Sequence, residues 1–240
     1  MIGAKKYYIY RVDESGKKIT LGSATKTTYT DTKAVVGQTY SYLVRAYGTN
    51  SNYNSVDSEE VVCTALCGQT VLHLTNASTG EPLVSWSSVS DAVGYEVYRA
   101  VEDGEFALIA TKIGLTYTDG DTVVDTKYSY KVKAIAENPE FNGPESEVKS
   151  IYAACEAPVI TVSLNGKKPM VAWERVDGAI AYEIYCSTKS TSGYKKIATV
   201  EEESYTDAKA TKNKRYYYKV IAVSENAESI YSNPVFIKSK

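Results

Sequence analysis

Between residues 127 and 134 the chain alternates without a break. Tyr128, Tyr130, Val132 and Ala134 are apolar or aromatic, and Ser129, Lys131 and Lys133 stand between them. Period-two alternation gives an extended segment one apolar and one polar face, so this stretch predicts a half-buried β-strand. Similar short runs are bounded by turn signals such as Asp103-Gly104, Asn142-Gly143-Pro144 and Asn165-Gly166. In the middle of the chain they predict strands around 70–75, 82–87, 94–101, 105–111, 114–118, 127–136 and 144–153. No stretch carries helical periodicity. Many short strands at this spacing predict an all-β sandwich or barrel.

The pattern repeats. Tyr-Thr-Asp occurs at Tyr29-Thr30-Asp31, Tyr117-Thr118-Asp119 and Tyr205-Thr206-Asp207, each 88 residues after the last. Strands beginning Tyr40-Ser41-Tyr42, Tyr128-Ser129-Tyr130 and Tyr216-Tyr217-Tyr218 keep the same step. Tyr7-Tyr8-Ile9-Tyr10, Tyr95-Glu96-Val97-Tyr98 and Tyr182-Glu183-Ile184-Tyr185 step by 88 and then 87. A period this long exceeds that of a solenoid, so each repeat is expected to hold its own core. The expected domains are residues 1–66, 67–155 and 156–240.

Within each repeat the residues resemble the fibronectin type III family of immunoglobulin-like sandwiches. Trp86 and Trp173 fall in the second strand, where that family places its core tryptophan. Tyr95 with Val97, and Tyr182 with Ile184, match its inward third-strand positions. Gly37-Gln38-Thr39-Tyr40 is similar to the family's turn into the sixth strand, which ends on the residue of its tyrosine corner, and Tyr128 and Tyr216 stand at the same place. There the resemblance implies a hydroxyl bonded to backbone across the corner. Asp125-Thr126-Lys127 and Asn213-Lys214-Arg215 replace the glycine version of the turn.

The first repeat is expected to lack its first two strands. Met1 falls where the others have Val89 and Val176, so the stretch from Cys67 to Ser88 has no counterpart. Ile9, Tyr42 and Val44 are then expected to be partly uncovered. The expected explanation is a segment cut from a longer parent; the other is donation of the strands by a second chain.

Composition narrows the function. A net charge of −2 with scattered lysines lacks the basic face that nucleic acid requires. No apolar run is long enough to span a bilayer. The chain has 22 tyrosines against 3 phenylalanines, which suits strands that are half buried and half wet. Four cysteines, Cys63, Cys67, Cys155 and Cys186, show neither metal-ligand spacing nor a plausible pairing and are read as small buried or junction thiols. Cys186 stands where the other repeats have Arg11 and Arg99.

The only histidine, His73, alternates against Leu72 and Leu74 and is expected in solvent. There is no triad, metalloprotease, P-loop or dinucleotide motif. Asp119-Gly120-Asp121 with Asp125 lacks a full calcium register and reads as turn chemistry. Glu201-Glu202-Glu203 reads as a solvated turn, and Asn76-Ala77-Ser78 fits a glycosylation triplet. No cofactor is implied.

If Tyr95 and Val97 face inward, Tyr98 faces outward, and so do Tyr10 and Tyr185. The neighbouring strand is expected to expose Leu43, Lys131 and Lys219 beside them. Tyr10, Tyr98, Tyr185, Lys131 and Lys219 form the candidate ligand-contact surface, for a sugar ring or a protein. A purely structural cross-strand pair, worth ~0.2–1 kcal/mol, explains the same pattern. The resemblance implies a spacer or adhesion segment, one module among others of a longer bacterial surface or secreted protein. The alternative is a carbohydrate- or peptide-binding accessory module. A concave cluster of exposed aromatics favours binding; tyrosines flat under lysine stems favour the spacer.

Overall fold

The computed structural model describes residues 3–13, 15–50 and 54–240, and their regular structure is almost entirely antiparallel strand. In the first repeat β1 (Lys6–Val12), β2 (Lys18–Ala24), β3 (Thr39–Tyr47) and β4 (Val61–Thr64) form one sheet in the order β2-β1-β3-β4. The middle repeat has two sheets. One holds β5 (Leu72–Asn76), β6 (Pro82–Trp86) and β9 (Thr116–Thr118) in the order β5-β6-β9. The other holds β7 (Gly94–Val101), β8 (Ala107–Lys112), β10 (Lys127–Ile135) and β11 (Lys149–Tyr152) in the order β11-β10-β7-β8. The third repeat follows the same plan. β12 (Ile160–Asn165), β13 (Lys168–Trp173) and β16 (Ser204–Thr206) form β12-β13-β16. β14 (Ala181–Ser187), β15 (Lys195–Val200), β17 (Arg215–Val223) and β18 (Val235–Lys238) form β15-β14-β17-β18. Seven strands thus stand close to where the alternation of the middle repeat puts them, except that β11 begins at Lys149 rather than near 144.

Contacts gather the chain into two compact units. The first takes residues 1–69, 89–94 and 133–144, and the second 70–88, 95–132 and 145–240. Inside the first, the Cys67 N–H donates to the Phe141 carbonyl at 2.9 Å, and Gly143 lies close against the backbone of Cys67 and Gly68. The second holds the two sheets of the third repeat and most of those of the middle one.

The cores follow the alternation. Tyr182, Ile184, Tyr218, Val220 and Ala222 from one sheet pack with Ile160, Val171 and Trp173 from the other. Trp86 meets Tyr95 with ring centroids 5.6 Å apart, and Trp173 meets Tyr182 at 5.1 Å. Neither indole N–H has a hydrogen-bond partner among the described residues, so packing holds these rings. A register shift recurs after the central inward residue of β1, β7 and β14, at Ile9/Tyr10, Val97/Tyr98 and Ile184/Tyr185. Such bulges add local twist.

The tyrosine corner is present three times. The hydroxyls of Tyr40, Tyr128 and Tyr216 accept the N–H of Val35, Val123 and Thr211, at 3.1, 3.0 and 2.9 Å. Each turn into that strand needs a left-handed residue three positions before the tyrosine. Gly37 supplies it at φ 83°, Asp125 at 66° and Asn213 at 63°. Glycine, aspartate and asparagine reach this region at least cost, so the departures from the glycine turn keep its geometry.

Behind each corner lies the Asp of Tyr-Thr-Asp, buried at Asp119 and Asp207 and half-buried at Asp31. Asp119, 1 % exposed, accepts from Tyr130 Oη at 2.7 Å and from Arg99 Nη1 at 2.9 and 3.0 Å. Asp31 accepts from Tyr42 Oη at 2.9 Å and pairs with Arg11. Asp207 accepts from Tyr218 Oη at 2.9 Å and from the N–H groups of Lys209 and Ala210, at 3.0 and 3.1 Å. The two arginines also reach the corner, with the guanidinium of Arg11 4.1 Å from the Tyr40 ring centre and that of Arg99 5.5 Å from that of Tyr128.

Trp86→Ala or Trp173→Ala removes the inter-sheet ring contact of its repeat and should cost ~3–5 kcal/mol. Denaturant unfolding of each variant checks this, and a change within error of zero would contradict the packing.

Candidate functional site

The tyrosines expected on the outer face, Tyr10, Tyr98 and Tyr185, are half-buried and are not free. In the middle repeat Tyr98 is half-buried and its hydroxyl donates to Glu96 at 2.8 Å. Burial first, and then the Glu96 carboxylate, pushes its ionisation up to about 12. The Lys131 ammonium lies 5.5 Å from the Tyr98 ring centre and 4.6 Å from that of Phe106, and is paired with Glu145 at 2.7 Å. In the third repeat Tyr185 stands opposite Lys219 in register. The Tyr185 hydroxyl donates to Glu183 at 2.7 Å, and that bond, with burial, raises its ionisation. Lys219 reaches Tyr194 and Tyr231, at 4.7 and 5.2 Å, and Tyr231 meets Tyr185 edge to face at 5.0 Å.

The first repeat departs from the pattern. Tyr10 lies beside Tyr8 with centroids 6.5 Å apart, and a hydrogen bond with Tyr47, then burial, pushes its ionisation up to about 12. Its cross-strand neighbour Leu43 was expected in solvent and is buried, at 7 % exposure. Alternation fixes the face, not the cover. Tyr8, Tyr10 and Tyr47 form a run of ring contacts on this face, and an aliphatic side chain there gains by leaving water.

Thus Tyr98 joins Lys131 and Tyr185 joins Lys219 through a third ring, while Tyr10 has no lysine across from it. Sequence reasoning missed Phe106, Tyr194, Tyr231 and Phe236. The last two are the most exposed aromatics of the third repeat, at 44 % and 57 %. Tyr231 stands where the middle repeat has Glu145, since Ser232 Oγ accepts the Val220 N–H as Ser146 Oγ accepts that of Val132, so the repeat gave no signal for it.

Side chains that suggested other chemistry are committed to structure. Asp119 is the buried hub, and Asp125 accepts the N–H groups of Glu225 and Asn226 at 3.0 and 2.9 Å. Burial would raise the Asp125 carboxyl, yet those bonds and one from Ser224 hold it below its usual range. Among the described residues no group of three or more His, Cys, Asp or Glu is arranged to hold a metal ion. His73 is exposed. Asn76 Nδ2 donates to the Tyr152 carbonyl at 3.0 Å, which ties down the nitrogen a glycan would need. All four cysteines are free, and burial raises the thiols of Cys67, Cys155 and, to about 11, Cys186. Raised thiols are poor nucleophiles at neutral pH. No helix among the described residues is long and apolar enough to cross a membrane.

No family model matches the chain. It is 25 % identical over 233 residues to exoglucanase B of Cellulomonas fimi, covering 88 % of this chain and 21 % of that protein. It is 30 % identical over 140 residues to an amylopullulanase of Thermoanaerobacterium thermosulfurigenes, covering 54 % of this chain and 7 % of the enzyme. A 63-residue stretch is 41 % identical to chitinase 63 of Streptomyces plicatus, covering 26 % of this chain and 10 % of the enzyme. The chain therefore spans about a fifth or less of the length of these relatives. Among solved structures it is similar to the FN1–FN3 domains of chicken CNTN1, with TM-score 0.37 and 18 % identity over 99 % of this chain and 90 % of that one. It is also similar to an Fn3-like protein from Clostridium thermocellum, with TM-score 0.31 and 30 % identity over 34 % of this chain and 86 % of that one. With its three- and four-stranded sheets, core tryptophans and three tyrosine corners, the chain is a tandem of fibronectin type III-like repeats.

Proposed function

We propose that this chain is a non-catalytic spacer or adhesion segment of a longer extracellular protein, with modules at 1–66, 67–155 and 156–240. One observation carries the reading: the side chains best suited to chemistry already hold the sandwiches together. Asp31, Asp119 and Asp207 are held by tyrosine hydroxyls, and Asp125 by backbone N–H groups. The hydroxyls of Tyr98 and Tyr185 are spent on Glu96 and Glu183. Supporting it, the matched stretches are a small part of enzymes named for glucan, pullulan and chitin breakdown. An accessory position beside a catalytic domain fits such a fraction.

A second reading, a carbohydrate- or peptide-binding accessory module, draws support from the exposed Tyr231 and Phe236. It would place ligand on the outer sheets over Tyr10, Tyr98 and Tyr185, with Lys131 and Lys219 at the rim. Tyrosines packed beside lysine ammonium groups, with occupied hydroxyls, weigh towards the spacer.

A glycan and peptide array probed with the full chain separates the two. The spacer reading expects no saturable binding and no hydrolysis of polysaccharide. Saturable binding that disappears in the folded Tyr98→Ala/Tyr185→Ala variant would transfer the assignment to the second reading.

The packed state of Tyr98 can be read directly. A phenol whose ionisation is raised in the folded state holds its proton more tightly folded than unfolded. Its contribution to stability is full below the ordinary value of 10.0 and is lost as the pH rises towards about 12. The difference between the ultraviolet titrations of the native chain and of Tyr98→Phe should place this ionisation near 12. Ionisation near 10 would mean a solvent-facing ring, available to a ligand.

A further inference from the structure

The inner face of the β2-β1-β3-β4 sheet differs from its two counterparts. Val44 is 37 % exposed, whereas Val132 and Val220 at the same register are 0 %; Ile9, expected to be partly uncovered with it, is instead buried at 7 %. Tyr7 and Tyr42 are half-buried, whereas Tyr95, Tyr182, Tyr130 and Tyr218 are buried. A hollow of about 640 Å³ lies on this face, lined by Tyr7, Ile9, Tyr29, Tyr42, Val44 and Cys63 among others.

The other two repeats show what fills the same place. In each, an antiparallel hairpin lies over the inner face, β5–β6 in one and β12–β13 in the other. Each brings one tryptophan onto the first inward tyrosine, Trp86 onto Tyr95 and Trp173 onto Tyr182. Each is also stitched to the Tyr-Thr-Asp segment, where Val84 pairs with Tyr117 and Val171 with Tyr205. In the first repeat Thr28, Tyr29 and Thr30 belong to no strand and make no ladder bond among the described residues. The segment is nevertheless held in place, since the Tyr29 hydroxyl donates to the Leu21 carbonyl at 3.1 Å and Asp31 is bonded to Arg11 and Tyr42. An apolar face and an anchored, unpaired strand edge therefore stand side by side.

We propose that this face is a docking site for a β-hairpin with the chemistry of this chain's own Leu72–Trp86 segment. The hairpin would run antiparallel to Thr28–Thr30, pair a valine-like residue with Tyr29, set an aliphatic side chain on Val44, and lay a tryptophan on Tyr7. Backbone pairing supplies affinity, and the inward Leu, Val and Trp positions supply selectivity.

The probe is a synthetic peptide of residues 70–88, titrated into the full chain. Cys63, exposed and lining the hollow, is the reporter, because a docked hairpin shields its thiol from alkylation. Saturable one-to-one binding with loss of Cys63 alkylation is expected, and both should be absent with the Trp86→Ala peptide. The cost of ordering a short peptide can hide binding, so the same hairpin is also fused ahead of Met1, in the register of the repeat, to raise its effective concentration. The fusion should likewise protect Cys63, and the fusion carrying the Trp→Ala change should not.

Alkylation of Cys63 at the unliganded rate in both formats would overturn the proposal. So would binding that leaves Cys63 reactive, which would place the peptide elsewhere. Concentration-dependent self-association that shields Cys63 without peptide would overturn it as well, because the occupant would then be a second copy.

Discussion

Each repeat depends on a carboxylate taken wholly or largely out of water, buried at Asp119 and Asp207 and half-buried at Asp31. An unpartnered buried charge is costly enough to prevent folding, so the aspartate of Tyr-Thr-Asp must be supplied with donors before its sheets can close. The side-chain donor common to all three repeats is the second tyrosine of the Tyr-x-Tyr strand: Tyr42, Tyr130 or Tyr218. This ties the segment carrying the aspartate to the strand whose first tyrosine forms the corner. In the first two repeats an arginine links both, through its ion pair with the aspartate and its place over the corner ring. The third repeat solves the same problem without a cation. Cys186 replaces the arginine, and to the backbone N–H that each aspartate receives, from Lys33, Asp121 or Lys209, the third repeat adds that of Ala210. Burial, and after it the Asp207 charge, raises the Cys186 thiol to about 11, so at neutral pH it adds no second negative charge beside the carboxylate.

The corner turn shows the same economy of position over residue type. Gly37, Asp125 and Asn213 share a left-handed backbone. Only Asp125 adds a further task, since its side chain caps the N–H groups of Glu225 and Asn226 in the third repeat. One residue thus satisfies a turn in the middle repeat and fixes a loop of the third.

Much of this was legible in the sequence. The 88-residue step, the alternation through Tyr128–Ala134 and the two tryptophans point to sandwiches, and the tyrosine corner follows from the same register. Tyr-Thr-Asp itself was legible only as a marker. That Asp119 is a buried hub could have been inferred from Arg11 with Asp31 and Arg99 with Asp119, which recur at the same period. The candidate surface was only half legible. Period two assigns Tyr10, Tyr98 and Tyr185 to the outer face but does not say what lies over them. Phe106 over which Lys131 sits, Tyr231 against Tyr185, and the cover on Leu43 come from loops or from the neighbouring strand, whose register the alternation leaves open.

The central claim is that the buried carboxylate and the second strand tyrosine form one unit. A double-mutant cycle with Asp119→Ala and Tyr130→Phe, read by denaturant unfolding, tests it most directly. The two groups meet at 2.7 Å away from water, so the effects should be coupled by ~1–3 kcal/mol. Strict additivity of the two substitutions would show that the pair is not a unit and would contradict the account.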